Sequence, residues 1–260
     1  PRPHRGRCRT SRGGPSRGCR SQGPAAPGTE AGRPSLIPCR RRYSAAMTLS
    51  SPPSSCVLRA SGYARMRWKN GAGWTSEILR VPDTDDWDWR LSIAEIETDA
   101  PFSAFPGIER ELVLLSGNGL RLRFDDGEVH ELLPPHDRLC FAGERSAFGE
   151  LVDGATRDFN LMWKREAVDA RLWHRPLVGT MVLFVAPGET WIVHMLAGQA
   201  RFVDGSGLGD LGIGDTALLP AIDGMRTRHA LDGGGEALLI RISPVGVASS
   251  TEVAGIPSAD

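Results

Sequence analysis

Short apolar runs, each ended within a few residues by Gly, Asp, Asn or Pro, confine this chain to an antiparallel β architecture. Glu111–Ser116 is apolar-rich and stops at Gly117-Asn118-Gly119. Leu120, Leu122 and Phe124 then alternate with Arg121 and Arg123, the period of a half-buried strand. Asp125-Asp126-Gly127 turns, Val129–Leu133 runs on, Pro134-Pro135 ends it, and Arg138–Ala142 starts the next strand. The second half repeats the grammar: Met181–Ala186, a turn at Pro187-Gly188-Glu189, Thr190–Leu196, a turn at Ala197-Gly198-Gln199, Ala200–Val203, a turn at Asp204-Gly205. Leu114-Leu115-Ser116-Gly117 aligns with Met195-Leu196-Ala197-Gly198, and Leu133-Pro134-Pro135-His136-Asp137 with Leu211-Gly212-Ile213-Gly214-Asp215. This degenerate duplication predicts an all-β chain of two jelly-roll β-barrels, residues 47–165 and 166–245. Few short helices are expected, one of them over Arg165–Trp173 between the halves. The alternative is a β-sandwich whose turns are alike by chance.

Charge separates the amino-terminal segment from the rest. Pro1–Ala46 carries eleven Arg against one acid, Glu30, a net of +10, whereas the other 214 residues hold 20 basic and 30 acidic groups, a net of −10. The first segment is rich in Arg, Pro, Gly and Ser and cannot bury enough apolar surface to offset the entropy of ordering. Residues 1–46 are therefore expected to be a disordered basic leader, and 246–260 a disordered tail. The sequence after Met47 reads as a normal start, so an upstream start or gene-model error is the expected origin of the leader. A nucleic-acid-binding tail and an organelle transit peptide are the alternatives. The acidic body makes a poor nucleic-acid binder. No secretory apolar core follows the basic residues, and no apolar run approaches the roughly 20 residues that span a bilayer. A cytoplasmic body without a membrane partner is expected. Cys8, Cys19 and Cys39 lie in the leader, leaving Cys56 and Cys140, which form neither a disulfide framework nor a zinc cluster. Cys140 is expected to be a core residue.

The densest segment is Met66-Arg67-Trp68-Lys69-Asn70-Gly71-Ala72-Gly73-Trp74-Thr75-Ser76-Glu77-Ile78. It offers an ammonium, an amide, a hydroxyl and glycines whose backbone N–H groups can approach a ligand. Lys69 is one of two lysines among 31 basic residues. In so Arg-heavy a chain its compact, mobile charge suits a carboxylate; a solvated lysine in a hairpin loop is the plainer reading. The segment does not follow the phosphate-binding Gly-Lys-Ser/Thr order. Further on, alternation puts Trp89, Leu91 and Ile93 on one face and Arg90, Ser92 and Ala94 on the other. If that second face is interior, Arg90 needs an anion: a ligand, or a salt bridge to Glu77 or Glu95, with the salt bridge slightly ahead. The proline-braced loop Pro101–Arg110 presents Phe102 and Phe105 either as a ligand lid or as a plug of the barrel end. Near the end of the first half, Phe159, Leu161 and Trp163 point one way, Asn160 and Met162 the other. Arg157 and Asn160 are the polar candidates for the interior.

A metal-binding barrel of the cupin type needs two closely spaced His on one strand, a Glu and a third His. His130, His136, His174, His194 and His229 form no His-x-His pair, so no metal and no cofactor are expected; only His194 and His229 are considered for meeting in space. No nucleophile elbow and no Cys–His arrangement with a clear base occur, so no catalytic residue is assigned. Glu77, Glu95 and Glu109 are candidate general bases, as any carboxylate is before geometry is known.

At these motifs the chain resembles the HutD/Ves family. The resemblance runs in order over roughly residues 55–245 and rests on Met66–Ile78, Trp89–Ala94, Pro101–Arg110, the Leu112–Leu122 hairpin and Arg157–Met162. Arg67 stands where the family often has Pro, Ala72 where Gly is common and Thr156 where Val is common. The resemblance implies a double cupin without the usual metal ligands and a link to histidine utilisation. There, members are proposed to bind an intermediate such as formylglutamate or urocanate and to limit pathway induction; others are described only as stress- or cold-associated. By position it places Lys69, Asn70, Thr75, Arg90, Phe105 and Arg110 near the ligand, to which the residue reading adds Phe102 and Asn160. The leading expectation is a binding or regulatory protein for a small anionic metabolite. The rivals are an isomerase or hydrolase of a small organic acid using Glu77 or Glu95, and a structural dimerisation module. The apolar strands leave room for a homodimer.

Overall fold

The computed structural model describes residues 54–222 and 224–246. The expected leader, 1–46, and the tail beyond Gly246 lie outside the described residues. Fifteen strands occur among those described. They are β1 (Cys56–Leu58), β2 (Ala64–Arg67), β3 (Gly73–Val81), β4 (Trp89–Ile96), β5 (Ala100–Pro101), β6 (Ile108–Ser116), β7 (Leu120–Phe124) and β8 (Val129–Leu132). There follow β9 (Arg138–Ala142), β10 (Ala147–Leu151), β11 (Thr156–Lys164), β12 (Val168–Val185), β13 (Thr190–Phe202), β14 (Thr216–Pro220) and β15 (Thr227–Pro244). The one helical element among the described residues is a short 3-10 turn, Ala60–Gly62. The expected connecting helix over Arg165–Trp173 does not form: a turn at Lys164–Ala167 leads straight into β12, whose residues pair one for one with β15. That run alternates exposed Arg171 with buried Ala170 and Leu172, and an edge of β15 beside it offers more hydrogen bonds than an isolated helical turn could.

The strands form three sheets, ordered β5-β10-β7-β8, β2-β3-β4-β11-β6-β9 and β1-β14-β13-β15-β12. The six-stranded sheet is central. One face, carrying Leu91, Ile93, Phe159 and Leu161, packs against Leu172, Ile192, Leu238 and Ile240 of the five-stranded sheet. The other face packs Leu112 and Leu114 against Leu120, Leu122 and Phe124 of the four-stranded sheet. Each such side chain removed from water contributes roughly 1.5–3 kcal/mol. A third cluster, including Leu183, Met195, Leu219 and Leu231, lies on the far face of the five-stranded sheet. Strict alternation in β4 and β11 therefore sends apolar residues to the core shared by the halves and the polar set Arg90, Ser92 and Asn160 toward the first half's interior.

The duplication is visible as repeated devices. The pairing of β6 with β11 skips Leu115, and that of β13 with β15 skips Leu196, so each half has a bulge at the aligned position. Both bulge residues pack against the central core. Leu114 N donates to Asp137 O at 2.9 Å, and the aligned Met195 N donates to Asp215 O at 3.1 Å. The turn expected at Ala197-Gly198-Gln199 is instead a corner inside one 13-residue strand, β13. A Cβ on Gly198 would lie 2.0 Å from Gly234 O. Without side chains there, β13 and β15 approach closely and bend while staying paired. Two further expectations fail. Cys140 is exposed, because β9 buries Phe141 instead, and Arg157 is exposed outside the bulge, with Glu95 Oε1 at 4.0 Å from its Nε. No helix among the described residues is long and apolar enough to cross a membrane.

Candidate functional site

All eight residues expected near a ligand, Lys69, Asn70, Thr75, Arg90, Phe102, Phe105, Arg110 and Asn160, line one cavity of ≈ 510 Å³. Its floor is the polar face of β4, β6 and β11. Register sets Met162 between Arg90 and Arg110, and Asn160 between Ser92 and Leu112. Its rim is the β2–β3 turn, and its side wall the loop before β6. The lining holds four cationic side chains, Arg67, Lys69, Arg90 and Arg110, and no Asp or Glu.

The four cations are not equivalent. Arg67 Nη1 donates to Glu97 Oε2 at 2.6 Å, and Arg90 Nε to Glu77 Oε2 at 2.8 Å. The slight preference for a salt bridge at Arg90 is thus the arrangement found, and its charge is already answered. Lys69 sits at the exposed rim with no ion-pair partner among the described residues. Arg110 is 6% exposed, and its contacts are neutral. Nη2 donates to Asn160 Oδ1 at 2.9 Å, and the guanidinium faces the rings of Phe102, Phe105 and Phe141 at 5.2, 5.6 and 5.1 Å. Its Nε is buried without a hydrogen-bond partner. Burial first, and neighbouring Arg90 second, press its pKa down to about 10, so it remains charged at neutral pH. Asp158, also buried and on β11, bonds Thr156 instead, and burial pushes its carboxyl up to about 7.

The remaining groups are donors. Trp68 Nε1 donates to Thr75 Oγ1 at 2.8 Å, leaving the Thr75 hydroxyl proton for another acceptor. Asn70 Oδ1 accepts from Ala72 N at 3.0 Å, which leaves its Nδ2 group uncommitted among the described residues. The glycine-rich turn does not offer its amides as expected: Gly71 N is spent on Trp68 O at 3.0 Å. Phe102 is seated by Gly149, where a Cβ would lie 2.6 Å from the ring. Glu77 and Glu95, the carboxylates considered as bases, pair with Arg90 and Arg65 and are absent from the lining. Glu109, the third, pairs with Arg165 at 3.3 Å. Ser92 and Met162 also line the cavity; the period-two pattern of β4 and β11 carried the signal for both.

The histidines are used separately. His194 Nδ1 bonds Thr216 Oγ1 at 2.8 Å, and burial lowers its pKa to about 4. His229 Nδ1 lies 3.1 Å from Asp204 Oδ2. His194 faces Leu238 on β15, nine residues or about 30 Å along that strand from His229, so the two do not meet. Among the described residues no group of three metal-ligating side chains lies in the cavity. Such a group forms elsewhere, from His136, His174 and Glu236.

Sheets and cavity together define an all-β protein of cupin-like architecture with a cation-lined pocket in its first half. The bacterial pirin YhhW of Escherichia coli shares the fold alone, at a TM-score of 0.55 and 9% identity over 73% of this chain and 99% of that one. The chain belongs to the HutD family, whose model matches residues 60–239. HutD from Pseudomonas fluorescens SBW25 superposes with a TM-score of 0.65 at 31% identity, over 74% of this chain and 100% of that one. A 21.2 kDa Pseudomonas putida protein, described by its place in the hutC 3′ region, is 45% identical over 118 residues, 45% of this chain and 62% of that protein's own length. Protein Ves of Cronobacter sakazakii is 38% identical over 138 residues, 53% of this chain and 74% of that protein.

Proposed function

We propose that this protein is a double cupin that binds a small organic carboxylate in its first barrel, with no metal in that cavity, and acts as a regulator of histidine utilisation. One observation carries the binding reading: Arg110 is a buried cation with no carboxylate against it among the described residues, which also place no acid in the lining of its cavity. An isolated buried charge is costly until an anion reaches it. The body around the cavity is acidic overall, so the positive lining is local and selective rather than a general anion-binding surface. A carboxylate entering there meets the Lys69 ammonium at the rim, Thr75 and Asn70 donors on the wall and the Arg110 guanidinium on the floor. Phe102 and Phe105 exclude water around it, which strengthens each bond. Formylglutamate and urocanate carry the required group, and membership of the HutD family supports the regulatory reading. By holding an intermediate, the protein would limit how strongly that intermediate induces its pathway.

The test is thermal unfolding and calorimetry with N-formylglutamate, urocanate and a neutral amide analogue of each. The acids are expected to raise Tm, by about 2.7 kcal/mol of added stability at a hundredfold excess over Kd, and the amides to leave it unchanged. Lys69→Ala and Arg110→Met should each abolish the shift. An amide acting as well as its acid, or a shift that survives in both variants, would refute carboxylate binding here.

A further inference from the structure

Three potential ligands from separate parts of the chain converge away from the cavity. His136 lies in the turn between β8 and β9, His174 on β12 and Glu236 on the paired strand β15. One ligand atom from each lies within 4.8 Å of the other two. His174 Nε2 is 2.8 Å from Glu236 Oε2, His136 Nδ1 is 3.6 Å from the same oxygen, and the two rings are 4.7 Å apart at 51°. None of the three lines the cavity described above.

We propose that His136, His174 and Glu236 form a binding site for a zinc-class divalent metal ion that clamps the first half of the chain to the second. Tetrahedral ligands about 2.0–2.1 Å from a zinc ion stand about 3.4 Å apart. The His136–Glu236 separation already has this span; His174 and Glu236 need to part by about half an ångström, and the imidazoles to close by side-chain rotation. Two imidazoles and one carboxylate are borderline ligands suited to Zn²⁺ or Co²⁺ and poorly suited to Mg²⁺ or Ca²⁺, which take oxygen sets. The arrangement has an unmet need that a metal would satisfy. His136 Nδ1 is buried and makes no hydrogen bond, although buried polar atoms are nearly always paired. His136 also holds φ +62°, a left-handed conformation uncommon outside glycine that persists where surroundings or function over-determine it. The site is reachable, since the His174 and Glu236 side chains are 37% and 43% exposed. Three protein ligands leave a fourth position for water. The ion would join the β8–β9 turn to the middle of the β12–β15 pair, adding a link between halves that already meet through apolar packing, the pairing of β1 with β14 and the bond from Arg138 Nη1 to Leu172 O.

The test uses the untagged full chain, stripped of metal and dialysed against ZnCl₂, with bound zinc counted by atomic spectrometry and Tm followed during titration. His174→Ala, Glu236→Gln and His136→Asn are compared with wild type, Asn being chosen because it tolerates positive φ. His130→Asn, in a surface pair with Glu128, is the control. Wild type and control should hold one more equivalent of zinc than each of the three variants, and only they should gain Tm on binding it. Leader thiols add the same background to all. Cobalt(II) absorption keeps the test sound if a variant folds poorly: wild type should show ligand-field bands separate from thiolate charge transfer. Equal zinc stoichiometry in all five proteins, or a cobalt spectrum composed only of thiolate bands, would overturn the site. Neither result bears on carboxylate binding, which is read with different residues and ligands.

Discussion

Arg110→Met should make the protein more stable and less able to bind. Burial brings the guanidinium from its ordinary value down to about 10. At about 1.4 kcal/mol per pH unit, keeping the charge inside costs about 3 kcal/mol. Because the folded pKa lies below the unfolded one, this cost is fully present at all pH values below about 10 and fades only as pH rises above it toward the unfolded value. Methionine fills a similar volume, needs no hydrogen bonds and exchanges the cation–ring contacts for sulfur–ring contacts of about 0.3–1.5 kcal/mol. Three cation–ring contacts are lost with the charge, as are the hydrogen bonds to Asn160 and to Ser103 O, so the net gain should be at most about 2 kcal/mol. For a body of this size that is a rise of at most roughly 4–8 °C in Tm. The assay is urea unfolding at pH 7 followed by tryptophan fluorescence, with and without N-formylglutamate. The variant should unfold at higher urea than wild type with an unchanged slope, and saturating ligand should shrink or reverse the difference by stabilising wild type alone. A ligand-free variant less stable than wild type would refute the reasoning, because it would show that the guanidinium is held favourably by the protein itself.

Asp158→Asn should remove a pH dependence. The carboxyl rises from 3.8 to about 7, so between those values the folded chain keeps a proton that the unfolded chain releases, and wild-type stability falls by roughly 4 kcal/mol as pH rises through that window. Urea midpoints at pH 5 and pH 8 should show the variant's advantage growing with pH; a variant weaker than wild type at pH 8 would contradict this. Gly198→Ala should cost at least about 2 kcal/mol more than Gly188→Ala. Both glycines have positive φ, but a Cβ at 198 meets Gly234 O at 2.0 Å while one at 188 has nothing nearer than 3.6 Å. Equal losses in urea would show that the corner in β13 can relax.

Period-two alternation in β4 and β11 was enough to read the two faces of the central sheet, since a strand buried on both sides still alternates polar with apolar when one side is a cavity. The aligned Leu115 and Leu196 were legible as a repeat, although only pairing reveals that both are bulges. Alternation put Arg90 and Asn160 on the cavity side, whereas Lys69, Asn70, Thr75, Phe105 and Arg110 came from the family resemblance and Phe102 from its place in the proline-braced loop. Their division of labour was legible only in part: a salt bridge from Arg90 to Glu77 or Glu95 was the slightly favoured reading, but nothing local marked Arg110 as the unanswered cation. Arg90 and Arg110 both face inward, and what separates them is that Glu77 reaches Arg90 across a bulge between Glu77 and Leu79, a register shift with no local signature. The β13 corner was misread because glycine marks close backbone approach as readily as it marks a turn. The His136–His174–Glu236 group escaped because its members are far apart in sequence: the pairing of β12 with β15 joins His174 to Glu236, and the β8–β9 turn of the first half brings His136 to them.

Strand β1 pairs with β14, Cys56 opposite Leu218, and the join is reinforced by Ala60 N and Arg59 Nη1 on the Asp215 carboxylate and by Tyr63 Oη on Gly214 O. During synthesis, the first strand of the body to leave the ribosome must therefore wait for a partner about 160 residues behind it. The sheet of the second half can be closed along this edge only when nearly the whole body has emerged, and until then both edges are open to pairing with another chain. Nascent chains halted before residue 214 would carry β1 as a loose end, leaving the assembly of this fold to its last stretch of translation.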